Sequence, residues 1–212
     1  MKTLAIEKLP QQDHLLTYAE WAKALAGLNW QDIAVAPWQQ EYPYVPTVKF
    51  QIAYTQDDIL LHFEVQEEYV KGQYIRPNEN VWEDSCVEFF VSFDNRETYY
   101  NIEFNVLGVG LIGYGRSVKA DRNRLPAADI LRIQTFSAVQ TIQGKKQWQQ
   151  VLQIPIALFE KQASELEGTT AYANFYKCGD GLPQPHFIAW NAIDSPTPNF
   201  HQPAFFGQIE FK

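Results

Sequence analysis

The sequence is poor in cysteine, methionine and positive charge. It contains two cysteines, one methionine and four histidines among 212 residues. Lys and Arg number 17 against 25 Asp and Glu, which gives a net charge of −8. Nucleic acids and anionic membranes both bind cationic protein surfaces, so this balance argues against both as partners. No apolar run approaches the length that spans a bilayer.

The few cysteines and histidines also restrict the chemistry. Cys86 and Cys178 are far apart in the sequence, in segments typical of strands. We expect two buried reduced thiols there rather than a disulfide or a metal-binding pair. The histidines are scattered without the spacing of metal ligands, and the single methionine argues against a haem held by a Met/His pair. The nucleophile elbow, the P-loop and the zinc-protease motif are missing.

The N-terminus starts like a secretory signal peptide, but polar residues interrupt its apolar stretch. Glu7 and Lys8 follow Ile6 directly, and a polar run occupies 11–14. A signal peptide needs an uninterrupted apolar region of about 7–15 residues. The sequence therefore predicts a cytoplasmic protein.

Apolar and aromatic residues are plentiful, and most of them follow the pattern of strands. Hydrophobic residues make up 46% of the chain and aromatic residues 15%. Residues 17–27 carry the one clear helical pattern, because Thr17 and Glu20 fit a capping box and an apolar face follows. Elsewhere apolar and polar residues alternate, which is typical of strands with one buried face.

The alternating segments predict an all-β fold with one short N-terminal helix. Strands are expected at 48–54, 59–65, 85–93, 98–106, 131–139, 147–155, 171–177, 187–191 and 208–211. Many short strands with turns between them favour an antiparallel β-sandwich, immunoglobulin-like or jelly-roll-like, because parallel strands would need helices between them. Its core should contain Phe50, Ile52, Leu61, Phe63, Val87, Phe89, Ile102 and Phe104.

No linker or repeat divides the chain, so residues 1–212 are expected to form one domain. Two stretches, 66–83 and 108–128, are too long to be simple turns. Long irregular loops in a compact domain are often functional.

The densest polar signal lies on two neighbouring predicted strands. If the apolar side chains face the core, Glu88, Asn101, Glu103 and Asn105 share the opposite face of a hairpin. The simplest interpretation is a solvated strand face, because outward positions are usually polar. The second is hydrogen bonding to a hydroxyl-rich ligand, which carboxylates and amides suit. The third is a glycosidase acid/base pair.

Two aromatic residues and one basic loop add to this face. Trp82 and Phe200 lie in loop sequence, where an aromatic ring either caps the core or presents its face to a sugar. Trp148 and Trp190 lie inside strand patterns and are expected in the core. The loop 113–124 concentrates four cations, which predicts either a solvated loop or the rim of an anionic or polar ligand site.

Taken together, several segments resemble family-nine carbohydrate-binding modules. The run VWEDSCVEFF at 81–90 resembles that family's segment around its first ligand-binding tryptophan, and YYNIEFN at 99–105 resembles the strand after it. The C-terminal residues 190–207 resemble the family's closing run, with its aromatic, Pro and Phe-Gly positions. The run ANFYKCGD at 173–180 is especially similar to single-domain bacterial relatives. The resemblance extends from about Trp30 to the end.

The resemblance implies a β-sandwich that binds the ends of sugar chains, often with structural calcium. Two tryptophans sandwich the sugar ring in that family; the first matches Trp82, and the second falls on Phe200. The family's carboxylate on the following strand matches Glu88. Glu103 stands where a basic residue is expected, and Tyr176 where an amide is expected.

The predicted function is therefore non-catalytic recognition of a sugar or an oligosaccharide chain end. The predicted ligand-binding residues are Trp82, Glu88, Asn101, Glu103, Asn105, Tyr176 and Phe200. For calcium, the oxygen-bearing loop groups at 57–58, 67–68 and 94–95 are available, without the spacing of a known motif. Two alternatives remain: a small glycoside-processing enzyme that uses Glu88 and Glu103, and an interaction domain whose sugar site has decayed.

Overall fold

A computed structural model describes residues 1–10, 17–118 and 121–212, and strands dominate these ranges. The strands are β1 (Thr3–Lys8), β2 (Gln31–Asp32), β3 (Thr47–Tyr54), β4 (Asp58–Glu67), β5 (Cys86–Ser92), β6 (Tyr99–Asn105), β7 (Gly110–Gly115), β8 (Asn123–Arg124), β9 (Gln134–Ile142), β10 (Lys145–Pro155), β11 (Thr170–Cys178), β12 (Phe187–Ala189) and β13 (Gly207–Phe211). The helices are α1 (Tyr18–Leu25), α2 (Ala127–Ile130) and α3 (Ala163–Leu166). Short 3₁₀ turns occupy Val81–Glu83, Ile156–Phe159 and Pro203–Phe205. The prediction of a mostly β chain is confirmed.

The strands form one hydrogen-bonded path that β1 divides into two halves. The front half has the order β8-β7-β6-β5-β11-β13, with β12 paired to β11. The back half has the order β3-β4-β10-β9, with β2 paired to β3. Thr3 of β1 pairs with Gln208 of β13, and Glu7 of β1 pairs with Ala53 of β3, both in parallel register.

The expectation of a purely antiparallel sheet is wrong because of β1. This strand was not expected, since its burial pattern leaves mainly Ile6 inside and most of its side chains outside. Its first residues pair with β13 and its last two pair with β3, and both ladders are parallel. Every other strand pair in the described residues is antiparallel.

The main apolar core contains side chains from both halves of the sheet. Phe50 of β3 stacks on Phe175 of β11 with ring centroids 3.9 Å apart, and Phe89 of β5 stacks on Phe175 at 5.0 Å. All eight residues predicted for the core are buried, and so are Trp148 and Trp190. Alternation fixes this result, because a shift of one residue would turn every apolar side chain outward.

The predicted N-terminal helix is confirmed as α1. Thr17 and Glu20 form the capping box: the Thr17 hydroxyl accepts from the Glu20 amide, and the Glu20 carboxylate accepts from the Thr17 amide. Trp21 and Leu25 are buried against the outer face of the back half. No helix in the three described ranges is both long and apolar enough to cross a membrane.

The stretch 108–128 is not the irregular loop that its sequence predicts, because it contains β7. Glycines hide this strand from pattern analysis, since they weaken strand propensity. They are needed there: a Cβ atom at Gly110 would lie 2.4 Å from the Phe104 ring, and one at Gly113 would lie 2.5 Å from the Asn101 side chain. The glycines of β7 therefore make room for side chains of β6.

Candidate functional site

The register of the strands places the predicted polar residues on the outer face of the front half. Glu88 pairs with Glu103 across β5 and β6, and Phe90 pairs with Asn101. On the other side of β5, Tyr176 of β11 pairs with Glu88. The carboxyl groups of Glu88 and Glu103 therefore face the same space.

This face is not solvated, so the simplest interpretation of its polar residues is wrong. Glu88 is 3% exposed and Glu103 is 5% exposed. Trp82, Ser117 and the segments 122–124 and 198–201 lie over the face and line a pocket of about 680 Å³. Its lining residues are Trp82, Glu88, Phe90, Asn101, Glu103, Gly113, Ser117, Arg122, Asn123, Arg124, Cys178, Asp180, Phe187, Pro198, Asn199, Phe200 and His201.

Five of the seven predicted ligand-binding residues line this pocket, and Asn105 and Tyr176 do not. The Asn105 side chain accepts from the amides of Leu107 and Val109 and donates to Asp84, so it holds loops in place. Tyr176 is fully buried beneath Phe200, with the ring planes 8° apart and the centroids at 4.1 Å. Both residues support the pocket from behind.

Trp82 is held at the pocket by the buried carboxylate of Asp84. The Asp84 Oδ2 atom accepts from the amides of Gln73 and Tyr74 at 3.0 Å and from the Asn105 side chain at 2.9 Å. These bonds tie the segment before β5 to β6. Trp82 itself is half-buried, which leaves part of its indole ring available to the pocket.

The structure adds charged residues that the sequence did not identify individually. Arg122 donates to the backbone carbonyls of Gly115 and Arg116 and to the Asn101 side chain. Arg124 approaches the Trp82 ring, with its guanidinium carbon 5.7 Å from the centroid. The cationic loop 113–124 was the signal for both arginines.

Asp180 and His201 also line the pocket, and no pattern in the sequence indicated them. Asp180 follows β11 in a turn whose amide donates to the Trp82 carbonyl at 3.1 Å. His201 lies beside the hydroxyl of Tyr99, with its Nδ1 atom at 2.8 Å. Each is a single polar residue in a loop, so only the folded chain reveals its neighbours.

Burial changes the protonation of the pocket carboxyls. It raises the pKa of Glu103 to about 7 and the pKa of Asp180 to about 6. Burial, and then the charge of Glu103, hold the pKa of Glu88 well above its usual range. A protonated carboxyl donates as well as accepts a hydrogen bond. Near neutral pH the floor of the pocket therefore offers both kinds of partner to a hydroxyl group.

The raised pKa of Glu103 predicts that the fold loses stability as pH rises. A carboxyl whose folded pKa is about 7 against an ordinary 4.5 stabilises the fold fully below the ordinary value and loses that contribution as pH rises through 7. We expect the free energy of unfolding to fall by about 2 kcal/mol more in the wild type than in Glu103→Gln between pH 5 and pH 8. Urea unfolding at several pH values measures this difference.

The comparison with Glu103→Gln isolates one group from the others that titrate. Glu88 and Asp180 act in the same direction as Glu103, whereas His186, whose pKa burial lowers to about 3, costs stability as pH falls below its ordinary value. The contributions of Asp180 and His186 are the same in both proteins, and the part of the Glu88 shift that the charge of Glu103 causes is counted with Glu103. If the free energy of unfolding changes equally with pH in the two proteins, Glu103 is already ionised in the folded protein between pH 5 and pH 8, which would contradict the prediction.

Behind the pocket, a buried ion pair joins the two halves. Lys177 of β11 places its Nζ atom 2.9 Å from Oε2 of Glu67, which ends β4, and both side chains are fully buried. The Trp148 indole donates to the other Glu67 oxygen at 2.6 Å. Lys177 also donates to Nε2 of His186 at 2.7 Å, while Nδ1 of His186 faces the Gln184 carbonyl at 3.0 Å. Since the His186 pKa is lowered, its ring is neutral and Nε2 accepts.

The two cysteines are buried, as expected, and they lie side by side. Cys86 and Cys178 are direct partners across β5 and β11. The Cys178 sulfur is 3.0 Å from Oε1 of Glu88. Burial raises the pKa of Cys86 to about 12.

Three of the acidic groups considered for calcium already have partners. Glu67 pairs with Lys177, Asp58 accepts from Gln153, and Asp94 accepts from the Thr98 amide within its own turn. In the described ranges no three of these groups lie together, as the oxygen ligands of calcium must. These loop groups therefore do not form a carboxylate cluster for calcium in the described ranges.

Comparisons with known proteins agree with this architecture. The family model described as carbohydrate-binding family 9 matches residues 18–211. The structure of a candidate carbohydrate-binding protein from Bacteroides uniformis is similar, with 36% sequence identity and a TM-score of 0.90 over 100% of this chain and 99% of that chain. No curated protein matches the chain.

Two structures of a family 9 carbohydrate-binding module from Caldicellulosiruptor kristjanssonii share the fold at 14% identity. The complex with cellotriose has a TM-score of 0.64 and covers 100% of this chain and 94% of that one. The complex with glucose has a TM-score of 0.63, with coverage of 100% and 96%.

Proposed function

Because the chain belongs to carbohydrate-binding family 9, we propose that its pocket binds the terminal sugar of a carbohydrate chain without cleaving it. One observation carries the proposal. A pocket of about 680 Å³ joins the half-buried ring of Trp82 to the buried carboxyls of Glu88 and Glu103. This combination suits a pyranose, which has apolar C–H faces and a polar rim of hydroxyls.

Each part of the pocket has a separate task in this proposal. The Trp82 ring packs against one face of the sugar. Glu88 and Glu103 at the floor exchange hydrogen bonds with its hydroxyls, and their raised pKa values let them donate as well as accept. Arg124 lies at the rim beside Trp82, where it can donate to an oxygen of the second sugar residue of the ligand.

Glucose and cellotriose are suitable first probes. The two related structures from Caldicellulosiruptor kristjanssonii are complexes with these sugars. The pocket of this chain has room for a bound sugar residue. Tighter binding of cellotriose than of glucose would indicate that the rim, including Arg124, contacts a second sugar residue.

We also propose that the two halves of the sheet are the layers of a β-sandwich and that residues 1–212 form one domain. A single apolar cluster supports both statements, because it contains residues from both halves. Phe50 and Phe175 stack across the space between them. One shared core is the usual property of one domain.

Replacing Trp82 by alanine should weaken binding of glucose and cellotriose by about five- to twentyfold. A stacked ring contributes on the order of 1 kcal/mol beyond its buried area, and that area is lost as well. Isothermal titration calorimetry measures the change. Trp30→Ala is the matched control, because Trp30 is also half-buried but stacks with Lys49 on the back half. We expect unchanged affinity in the control.

Phe200 contributes differently from Trp82. It is 8% exposed and one of its faces is covered by Tyr176. Phe200→Ala should therefore lower both the melting temperature and the affinity, whereas Trp82→Ala should mainly lower the affinity.

Unchanged sugar affinity in Trp82→Ala would contradict the proposed role of the ring. If the wild type hydrolyses an aryl glycoside and Glu88→Gln does not, the protein is an enzyme rather than a binding module.

A further inference from the structure

Two thiols and one carboxyl meet beneath the floor of the pocket, and the proposed sugar binding does not use the thiols. The sulfur atoms of Cys86 and Cys178 and a carboxylate oxygen of Glu88 all lie within 4.8 Å of one another. All three residues are buried. No other cluster of three or more His, Cys, Asp or Glu residues in the described ranges brings its ligand atoms together in this way.

Strand geometry fixes this cluster. Cys86 and Cys178 are direct partners across β5 and β11. Glu88 is two residues beyond Cys86 on β5, so both side chains point to the same face of the sheet. The cluster therefore does not depend on a mobile loop, and a bound ion would find its ligands already in place.

We propose that Cys86, Cys178 and Glu88 bind a thiophilic divalent metal ion of the Zn²⁺ class. Zn²⁺ prefers sulfur at about 2.3 Å and carboxylate oxygen at about 2.0–2.2 Å, in tetrahedral geometry. Those lengths place neighbouring ligand atoms about 3.6–3.8 Å apart. The contact of 3.0 Å between Cys178 and Glu88 and the upper limit of 4.8 Å for the set lie on either side of that spacing.

Charge and access are consistent with such an ion. Two thiolates and a carboxylate carry three negative charges, of which Zn²⁺ neutralises two, and Arg122 and Arg124 line the same pocket. Cys178 and Glu88 also line the pocket, so the fourth ligand comes from its interior as water or a sugar hydroxyl. The ion would then lie where the sugar binds.

Binding exchanges protons for the metal. The two S–H bonds break, and so does the O–H bond of Glu88 when that carboxyl is protonated. The released protons pass to the buffer as two metal–sulfur bonds and one metal–oxygen bond form. No oxidant or reductant takes part. The uptake of one ion should therefore release about two to three protons near neutral pH.

The test is a metal titration of the reduced full chain without sugar. Co²⁺ serves as the spectroscopic probe, because thiolate ligation gives a sulfur-to-cobalt charge-transfer band in the near ultraviolet. We expect that band to saturate at one ion per chain and to disappear when Zn²⁺ is added. Calorimetry of Zn²⁺ binding in buffers of different ionisation enthalpy counts the released protons.

Three variants locate the ion. Cys86→Ser and Cys178→Ser should each weaken Zn²⁺ binding at least about 100-fold, since each removes one thiolate ligand. His201→Gln is the matched control: imidazole is a common zinc ligand and His201 lines the same pocket, but it is outside the cluster, so we expect a change of less than about threefold. Cys86→Ala and Cys178→Ala replace the serine variants if those do not fold.

Two results would overturn the proposal: no charge-transfer band in the wild type, or equal Zn²⁺ affinity in the wild type and both cysteine variants. Glucose and cellotriose titrations in EDTA keep this result separate from the proposed function. If sugar binds in EDTA and no metal ion binds, the proposed metal site is ruled out and the proposed function stands. If a metal ion binds and no sugar on a glycan array does, the proposed function is ruled out and the metal site stands.

Discussion

Replacing Lys177 by methionine is expected to lower the free energy of unfolding by about 3–5 kcal/mol. The Lys177 ammonium is the charged partner of Glu67, and both side chains are fully buried. The contact is an ion pair rather than an aligned hydrogen bond, because Oε2 of Glu67 has no hydrogen-bond partner among the described residues. Nε2 of His186, whose lowered pKa keeps the ring neutral, lies 3.6 Å from the same oxygen and supplies no counter-charge. Without the ammonium, a carboxylate stays buried without a counter-charge, which is among the most costly single changes in a folded protein. Urea denaturation measures the loss.

Lys212→Met is the matched control for this change. Lys212 forms an ion pair of 2.6 Å with Glu210, but their side chains are 50% and 33% exposed. An exposed pair contributes about 0–1 kcal/mol, because water screens the charges. We therefore expect a small effect from the same chemical change. Equal losses in Lys177→Met and Lys212→Met would show that the buried pair has no special importance.

A double variant tests the explanation itself. Glu67→Gln removes the negative charge and still offers an acceptor to the Trp148 indole, which donates to Glu67 at 2.6 Å. If an uncompensated charge causes the loss in Lys177→Met, then adding Glu67→Gln should recover part of the stability. Losses that simply add would instead indicate that packing of the lysine chain is the cause.

Asp84→Ala is expected to cost about 3–5 kcal/mol of stability and to weaken sugar binding as well. Its carboxylate accepts three hydrogen bonds, from the amides of Gln73 and Tyr74 and from the Asn105 side chain. Hydrogen bonds to a charged group contribute about 1.5–3 kcal/mol each, and their buried donors would lose their partner. Because Asp84 fixes the segment that carries Trp82, the affinity should fall about as far as in Trp82→Ala.

Glu79→Ala provides the control within the same segment. The Glu79 carboxylate accepts from the amides of Ile75 and Arg76, both at 2.9 Å, but these bonds are open to solvent. Water replaces the lost acceptor there, so the expected loss is below about 1 kcal/mol. Thermal melts and glucose titrations of both variants give the comparison. A stable Asp84→Ala protein with full affinity would show that the segment is held by other contacts.

The sequence predicted those parts of the fold that local patterns determine. Alternation identified both the core residues and the shared face of Glu88 and Glu103, because side-chain direction in a strand follows from position alone. The same pattern could not show that this face is buried, since the covering loops come from segments far apart in the chain. Burial, in turn, raises the pKa of both carboxyls.

The residues that were misplaced or missed depend on contacts between distant segments. Asn105 follows the outward alternation of β6 but turns to the loop carbonyl of Tyr74 and to Asp84. Tyr176 has a ligand-like position on β11, yet the ring of Phe200 covers it. The cysteines are 92 positions apart in the sequence and become neighbours only through the pairing of β5 with β11.

Strand β1 has a consequence for the order in which the chain folds. Its main partner is β13, so its ladder joins Thr3–Ile6 to Gln208–Phe211. During synthesis, β1 leaves the ribosome before β13 and must wait for it, while hairpins such as β5–β6 can already form. Closing so long a loop is slow, because much chain entropy is lost before the contact forms. Until β13 is made, β1 can pair with β3 alone of its two partner strands, so the ladder that joins β1 to the front half forms last.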